Sequence, residues 1–436
     1  MFFTVITNDI NVHLLNMKKI AVIGSGISGL GTALLLQQQH EVHLFESDKR
    51  LGGHACTYQI NSNALKTNVD MGFLVYNELT YPHLTAMFKF LDVETFESDM
   101  SLSIQVPRHN LEWSGDNLDT VFAQRNNLLS PSFYKMVYDI IKFHNEAEKN
   151  RDLSRLNRWS VGDLLSAKKY SRQLAEWYIL PMIAAIWSTP EKNMMDFPAE
   201  TFLTFFINHK LLQVNDRPMW RTVKNGSKQY VDKIAQLLKH VHLSEAAISA
   251  VTTEQGIKLT TNKSSYDFDK IVFATHVPVT RKIMKTENQQ ILNVLKHFET
   301  QKNKAFLHQD QTHMPQRKKC WAAWNVKAQM SDSQLNDKVS LTYNLNRLQN
   351  IVSEKPMLLT LNPTENPVDM ITSAEFDHPH FDQNAIDAQK QIDPIQGLDN
   401  MYFAGAWTRY GFHEDGLLSA VKVAEKFNIT TPWKVS

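Results

Sequence analysis

Two patterns of apolar and polar positions recur along the chain. Short β-branched runs are closed by glycine or an acid, and longer runs carry apolar residues three or four apart. "KIAVIG" (19–24) is of the first kind and predicts a buried parallel strand. The glycine-rich "SGISGLGTALLL" that follows reads as the start of a helix, and "EVHLFE" (41–46) as a second strand. Residues 80–215 read as helical: "YPHLTAMFKFLDV", "SPSFYKMVYDIIKFHNEAEK", "SVGDLLSAKK" and "SRQLAEWYILPMIAAIW" place apolar residues at helical spacing. Between 300 and 362 the runs "KAFLH", "CWAAWNV", "VSLTYNL" and "MLLTLN" are short and partly alternating, which predicts a sheet. No internal repeat or low-complexity tract interrupts this order. The alternation predicts an α/β fold.

Composition narrows the partners. The 436 residues are enough for two domains. The 46 basic and 45 acidic residues are interspersed and leave a net charge of +1, which argues against nucleic acid as a partner. The two cysteines, Cys56 and Cys320, form no CxxC pair, so a disulfide scaffold, a zinc ribbon and a dithiol enzyme are disfavoured and a cytoplasmic setting is expected. No metal-ligand motif stands out. The most apolar stretch, "YILPMIAAIW" (178–187), is shorter than the roughly 20 residues a spanning helix needs. The first 16 residues lack the features of a signal peptide and are read as a loose extension before Met17.

Chemistry enters with the glycines. Gly24 permits a tight turn, Gly26 lets backbone approach a pyrophosphate, and Gly29 allows close packing of helix on strand. Phosphates would meet the helix N-terminus, where free N–H groups and the macrodipole favour negative charge. Glu46, about 20 residues on, stands where a ribose hydroxyl acceptor is needed. Arg50 and the pair Gly52–Gly53 then follow, an extension that a nicotinamide site does not require.

These residues resemble the double fingerprint of the flavin-containing amine oxidase and phytoene desaturase superfamily. "VDMGFLVYN" (69–77), "DFDKIVFATHVPV" (267–279) and "LDNMYFAGAWTRYGFHEDGLLSAVKVAEKF" (398–427) are similar to its other conserved segments. Further runs, among them "WYILPMIAAIWSTP" and "KNGSKQYVDKI", resemble the subgroup of amine oxidase-like NAD/FAD-binding proteins that is also similar to the N-terminal flavoprotein half of plant cyclopropane fatty acid synthases. The resemblance implies noncovalent FAD, an amine oxidase-type Rossmann-like FAD-binding domain with an inserted α+β substrate domain, and a lipid or fatty-acyl substrate. Along the cofactor it places Gly24, Gly26, Ile27, Ser28 and Gly29, then Glu46, Ser47, Arg50, Gly52, Gly53 and His54. Gly72 and Phe73 would lie beside the isoalloxazine, Ile248 would clamp the adenine through its backbone, and Ala274, Gly405, Ala406, Gly416 and Leu417 would close the site. The FAD-binding domain is expected from 17–80, 220–280 and 385–430, and the substrate domain from 81–219 and 281–384. Asn225 stands where the family often has the first of two glycines, which puts the tightness of that turn in question.

Flavin does the redox work, so the protein need only position a C–H bond and control charge nearby. Anchoring the closing motif on Gly416 puts His413 where amine oxidases commonly carry a cage tyrosine, and an imidazole there could serve as base or hydrogen-bond donor. Lys304 is the candidate for a lysine that amine oxidases hold near flavin N5. Glu414 and Asp415 read as helix caps. Three readings of function follow: hydride transfer from a lipid or acyl chain to flavin, an amine or polyamine oxidase, and a noncatalytic flavoprotein partner. Under the first, peripheral membrane contact is expected near 177–214, with Lys192, His209 and Lys210 meeting headgroups.

Overall fold

The computed structural model describes residues 17–61, 66–187, 194–211, 218–329 and 338–435. Its first layer is a five-stranded parallel sheet. β1 (Lys19–Ile23) leads through α1 (Ile27–Leu36) to β2 (Glu41–Phe45), and β3 (His240–His242), β4 (Lys270–Phe273) and β5 (Met401–Phe403) complete the order β3-β2-β1-β4-β5. Val22 pairs with Leu44 on one side and Val272 on the other, so the apolar run of β1 is central and buried on both faces. The helix α2 (His413–Lys426) follows β5 and lies along α1. A Cβ on Gly31 would stand 2.8 Å from Leu417 Cδ1, so the two helices approach closely where glycine leaves room.

The opposite face of the sheet is covered by an antiparallel meander, Ala247–Thr253, Gly256–Thr261 and Ser265–Phe268. Phe45, Phe268 and Phe273 share the core between these layers.

The inserted region carries a seven-stranded sheet. Its order is Met370–His380, Glu299–His308, Leu358–Leu361, Lys338–Asn344, Trp324–Gln329, Leu102–Val106 and Leu111–Ser114. Here the sequence expectation is corrected: 80–215 is not helical throughout. Thr95–Ser98, Leu102–Val106 and Leu111–Ser114 are strands, because "LSIQV" and "LEWS" are too short for a helix and hydrogen-bond into sheets supplied by distant chain. The helical lobe is confined to Pro131–Asn145, Ala147–Asn157, Val161–Ala167 and the pieces up to Asn208. No helix among the described residues is long and apolar enough to cross a membrane.

Candidate active site

The site forms where the N-termini of α1 and α2 converge at the C-terminal ends of the parallel strands. Gly24 adopts φ +98°, and a Cβ there would lie 2.9 Å from the Ala274 carbonyl oxygen. Gly29 is stricter still, since a Cβ would overlap the Gly24 carbonyl at 1.8 Å. Gly26 differs from both. Its φ is −63°, it is the N-cap of α1 without a side-chain cap, and a Cβ there would meet nothing within 4 Å. Neither backbone strain nor protein packing requires glycine at this position, so the open space before an uncapped helix N-terminus fits a bound pyrophosphate.

The remaining cofactor candidates surround this cradle. Glu46, at the end of β2, accepts hydrogen bonds from Ser25 N–H (2.9 Å), Ser25 Oγ (2.6 Å) and Asp48 N–H (2.9 Å), which fix its carboxylate beside the glycine turn. Ser47 Oγ donates to the same carboxylate at 3.2 Å. Arg50 donates through Nη2 to the Gly53 carbonyl at 2.9 Å and so holds the shape of its own loop. Gly52 and Gly53 have φ +109° and +55°, and a Gly53 Cβ would touch Gly26 Cα at 3.1 Å, placing the two glycine motifs in contact. A Gly72 Cβ would overlap the His54 carbonyl at 2.2 Å. Ile248 is exposed at a bulge where the register shifts between Ala247 and Ser249, so its backbone amide and carbonyl stand outside the ladder, as an adenine clamp requires.

The closing motif packs on the same cradle. A Gly416 Cβ would sit 2.7 Å from Ile27 Cγ2 and 2.9 Å from Ser28 Oγ, which brings the first turns of the two helices together. Leu417 is fully buried and its side chain packs at Gly31, so it serves the helix crossing. Gly405 N–H donates to Ser419 Oγ at 2.8 Å, which ties the Gly405–Ala406 turn to α2. The turn at Asn225 survives the missing glycine because asparagine accepts φ +63°, and Gly226 follows at φ +92°. Asp70 holds it there, accepting from Ser227 N–H (2.9 Å), Ser227 Oγ (2.7 Å) and Thr57 Oγ1 (2.6 Å). Burial pushes the Asp70 carboxyl up to about 6.

His413 opens α2 with its ring stacked on Phe73, centroids 3.8 Å apart at 15°, and Nε2 lies 3.2 Å from the Tyr230 hydroxyl. Burial drives its pKa down to about 3, so the imidazole is neutral and a poor general base. In this arrangement His413 stands as a neutral hydrogen-bonding group between Phe73 and Tyr230. Glu414 accepts from the His83 and Leu84 N–H groups, both at 2.9 Å, and caps the helix Pro82–Phe90. Asp415 accepts from Phe412 N–H (3.0 Å) and Tyr410 N–H (3.2 Å), and Arg409 stands 3.6 Å away. Asp415 caps its own helix start, as the sequence suggests, while Glu414 caps a different helix.

Lys304 is corrected. It pairs in register with Glu375, 3.8 Å from its carboxylate, on the solvent side of the strand Glu299–His308. The period of two turns Gln301 and Asn303 the other way, opposite His378 and Phe376. That face meets His54, whose ring lies 5.4 Å from His378, 5.2 Å from Phe376 and 5.8 Å from His276. Desolvation lowers the pKa of all three histidines, that of His378 to about 4, so they line the glycine-pair loop as neutral groups. Sequence reasoning missed His276 and His378 because no spacing links "THVPV" to "FDHPH"; the tertiary fold brings the turn after β4, which carries His276, near the strand Met370–His380, which carries His378.

The membrane-entrance reading is corrected as well. Trp177, Tyr178, Met182 and Trp187 are buried, as are Phe202, Phe205 and Phe206. His209 is buried with its ring on Phe205 at 3.9 Å and its pKa lowered to about 4, so it cannot meet headgroups. Lys192 lies outside the described residues. Cys56 is half-buried and Cys320 buried, and burial raises both thiols.

Comparison with known proteins agrees with this geometry. The family model for flavin-containing amine oxidoreductases matches residues 27–340. Among solved structures, a CLA-producing fatty acid isomerase from P. acnes superposes with a TM-score of 0.70 at 11% identity, covering 94% of this chain and 99% of that one. Cyclohexylamine oxidase from Brevibacterium oxydans IH-35A gives 0.69 at 14% identity, covering 94% and 100%. Putrescine oxidase bound to putrescine gives 0.68 at 12% identity, covering 94% and 99%. No curated protein sequence matches the chain. With the family model spanning most of the chain and the paired glycine motifs meeting at one helix N-terminus, the chain belongs to the flavin-containing amine oxidoreductase family and is an FAD-dependent oxidoreductase.

Proposed function

We propose that the chain oxidises or desaturates a fatty-acyl or lipid substrate by hydride transfer to FAD. The observation that carries this reading is the wall beside His413. Phe412 stacks on Phe205 at 4.7 Å, Phe205 meets Trp187 at 5.0 Å, and Trp187 meets Phe197 at 4.7 Å, which makes a continuous aromatic face reaching into the helical lobe. Phe205, Trp187 and Phe197 are buried against one another, and an apolar interior of this kind next to His413 suits a neighbouring hydrocarbon chain better than a charged one. Glu414 and Asp415, which follow Phe412 on the same helix start, are committed to backbone amides and offer little to a cationic amine. FAD supplies the hydride acceptor when bound. The protein then orients the chain along the aromatic face and keeps water out, while neutral His413 holds its place through Phe73 and Tyr230. Similarity to the fatty acid isomerase supports an acyl substrate, and similarity to two amine oxidases keeps amine oxidation as the competing outcome. Anaerobic mixing of the holoprotein with palmitoyl-CoA, dioleoyl phosphatidylcholine or putrescine decides between them. Flavin bleaching by an acyl compound is expected. Bleaching by putrescine alone, or by none of the three, would overturn the proposal.

A further inference from the structure

At the other end of β2 a second group of chemistry-bearing side chains has no part in the flavin site. Glu41 and His43 are two residues apart and share one face of the strand. His240 pairs directly with His43 across the parallel ladder, and the two rings stack at 4.3 Å and 5°. His242 pairs with Phe45 and stacks on it at 4.3 Å. The ligand atoms of Glu41, His43 and His240 all lie within 4.8 Å of one another.

The hydrogen-bond row through these residues is one proton short. His43 Nε2 is 2.9 Å from Glu41 Oε1, His43 Nδ1 is 3.0 Å from His242 Nε2, and His242 Nδ1 is 3.5 Å from Glu245 Oε2. Three junctions between lone pairs need three protons, and two neutral imidazoles bring two. With both imidazoles neutral, one junction is left with two lone pairs facing each other. If His43 donates Nδ1–H to His242 and His242 donates to Glu245, the deficit falls between His43 Nε2 and Glu41, beside His240. That arrangement is the usual one for a metal-bound histidine, whose second nitrogen donates to an outer acceptor.

We propose that Glu41, His43 and His240 bind one divalent transition-metal cation of the Zn2+ type. Two imidazole nitrogens and a carboxylate oxygen are a borderline donor set suited to Zn2+, with solvent in the fourth position. Tetrahedral bonds of about 2.0 Å hold donor atoms roughly 3.3 Å apart, so the His43–Glu41 contact needs to open by only about 0.4 Å. His240 is exposed and can swing in. Glu245, buried and also accepting from Thr261 Oγ1 (2.8 Å) and the Tyr266 hydroxyl (2.9 Å), anchors the outer end of the row. The site lies about 10–16 Å along β2 from Glu46, so the cation joins the short edge strand β3 to the sheet and takes no part in flavin chemistry. Neither ligand pattern, "EVH" or "HVH", signals a metal alone; the parallel register of strands almost 200 residues apart assembles them.

Titration of chelator-dialysed holoprotein with Zn2+ by calorimetry tests the site. One equivalent per chain is expected, with His240→Ala and Glu41→Gln each weakening binding at least tenfold while flavin absorbance stays unchanged. Co2+ in place of Zn2+ is expected to give the visible absorption of a four-coordinate ion. Absence of saturable Zn2+ binding, or binding unchanged in both variants, would overturn the proposal, and neither result would bear on the flavin site.

Discussion

Replacing Gly26 with valine separates cofactor binding from folding. At φ −63° and ψ 178° the backbone lies where any L-residue is comfortable, and the added Cβ would meet no protein atom within 4 Å. Loss of a weakly favoured N-cap residue costs a few tenths of a kcal/mol, and reduced freedom of the unfolded chain returns about 0.4–1 kcal/mol. Apoprotein stability should therefore change by less than about 1 kcal/mol. The holoprotein faces a different balance. A branched side chain in the mouth of the uncapped α1 terminus would push the pyrophosphate from the free N–H groups. Losing two charge-assisted hydrogen bonds at about 1.5–3 kcal/mol each weakens FAD by roughly a hundredfold to ten-thousandfold. Flavin titration by fluorescence quenching, with circular dichroism of the apoprotein alongside, reads both effects. Gly29→Ala is the contrast, because its Cβ would overlap the Gly24 carbonyl and must disturb the fold itself. If Gly26→Val bound FAD as the parent does, or unfolded as readily as Gly29→Ala, the assignment of that space to the pyrophosphate would be wrong.

Three further outcomes follow from the site. Glu414 is held at about 7 in the fold against an ordinary 4.5, so the folded state binds its proton more tightly and stability falls as pH rises from about 4.5 through 7. Glu414→Gln should reduce that fall by about 3 kcal/mol, read as the melting temperature across the same window, and an unchanged pH profile would refute the shift. Lys304→Ala should leave flavin content and turnover as they are, since its side chain faces solvent and Glu375; a tenfold loss of turnover would restore it to the site. Asp70→Ala removes the acceptor for Ser227 N–H, Ser227 Oγ and Thr57 Oγ1, and chemical denaturation should show a loss of about 2–4 kcal/mol with FAD binding weakened in parallel.

The sequence makes the cradle legible because its demands are local. Gly24, Gly29 and Gly53 are fixed by φ or by an atom a few residues away, and Glu46 by the length of one strand–helix–strand unit. The cap at Asp415 is equally local, whereas Glu414 caps Pro82–Phe90, a helix more than 300 residues away, which no local pattern announces. What escapes is set by register between distant strands. Lys304 and Asn303 differ by one position, and only the pairing of Glu299–His308 with Met370–His380 decides which faces His54. The same holds for His378 beside His54 and for His240 beside His43, while His276 reaches them from the turn after β4. Apolar stretches mislead for another reason. Phe202, Phe205 and His209 look amphipathic in sequence, yet Trp187, Trp220 and Phe412 from three other segments cover them.

Acid precipitation of the purified protein tests the central claim most directly. The account predicts a colourless pellet and a yellow supernatant whose fluorescence rises on phosphodiesterase treatment, the behaviour of released FAD. A yellow pellet would mean covalent flavin, and a colourless preparation before acid would mean that the paired glycine motifs hold no flavin at all.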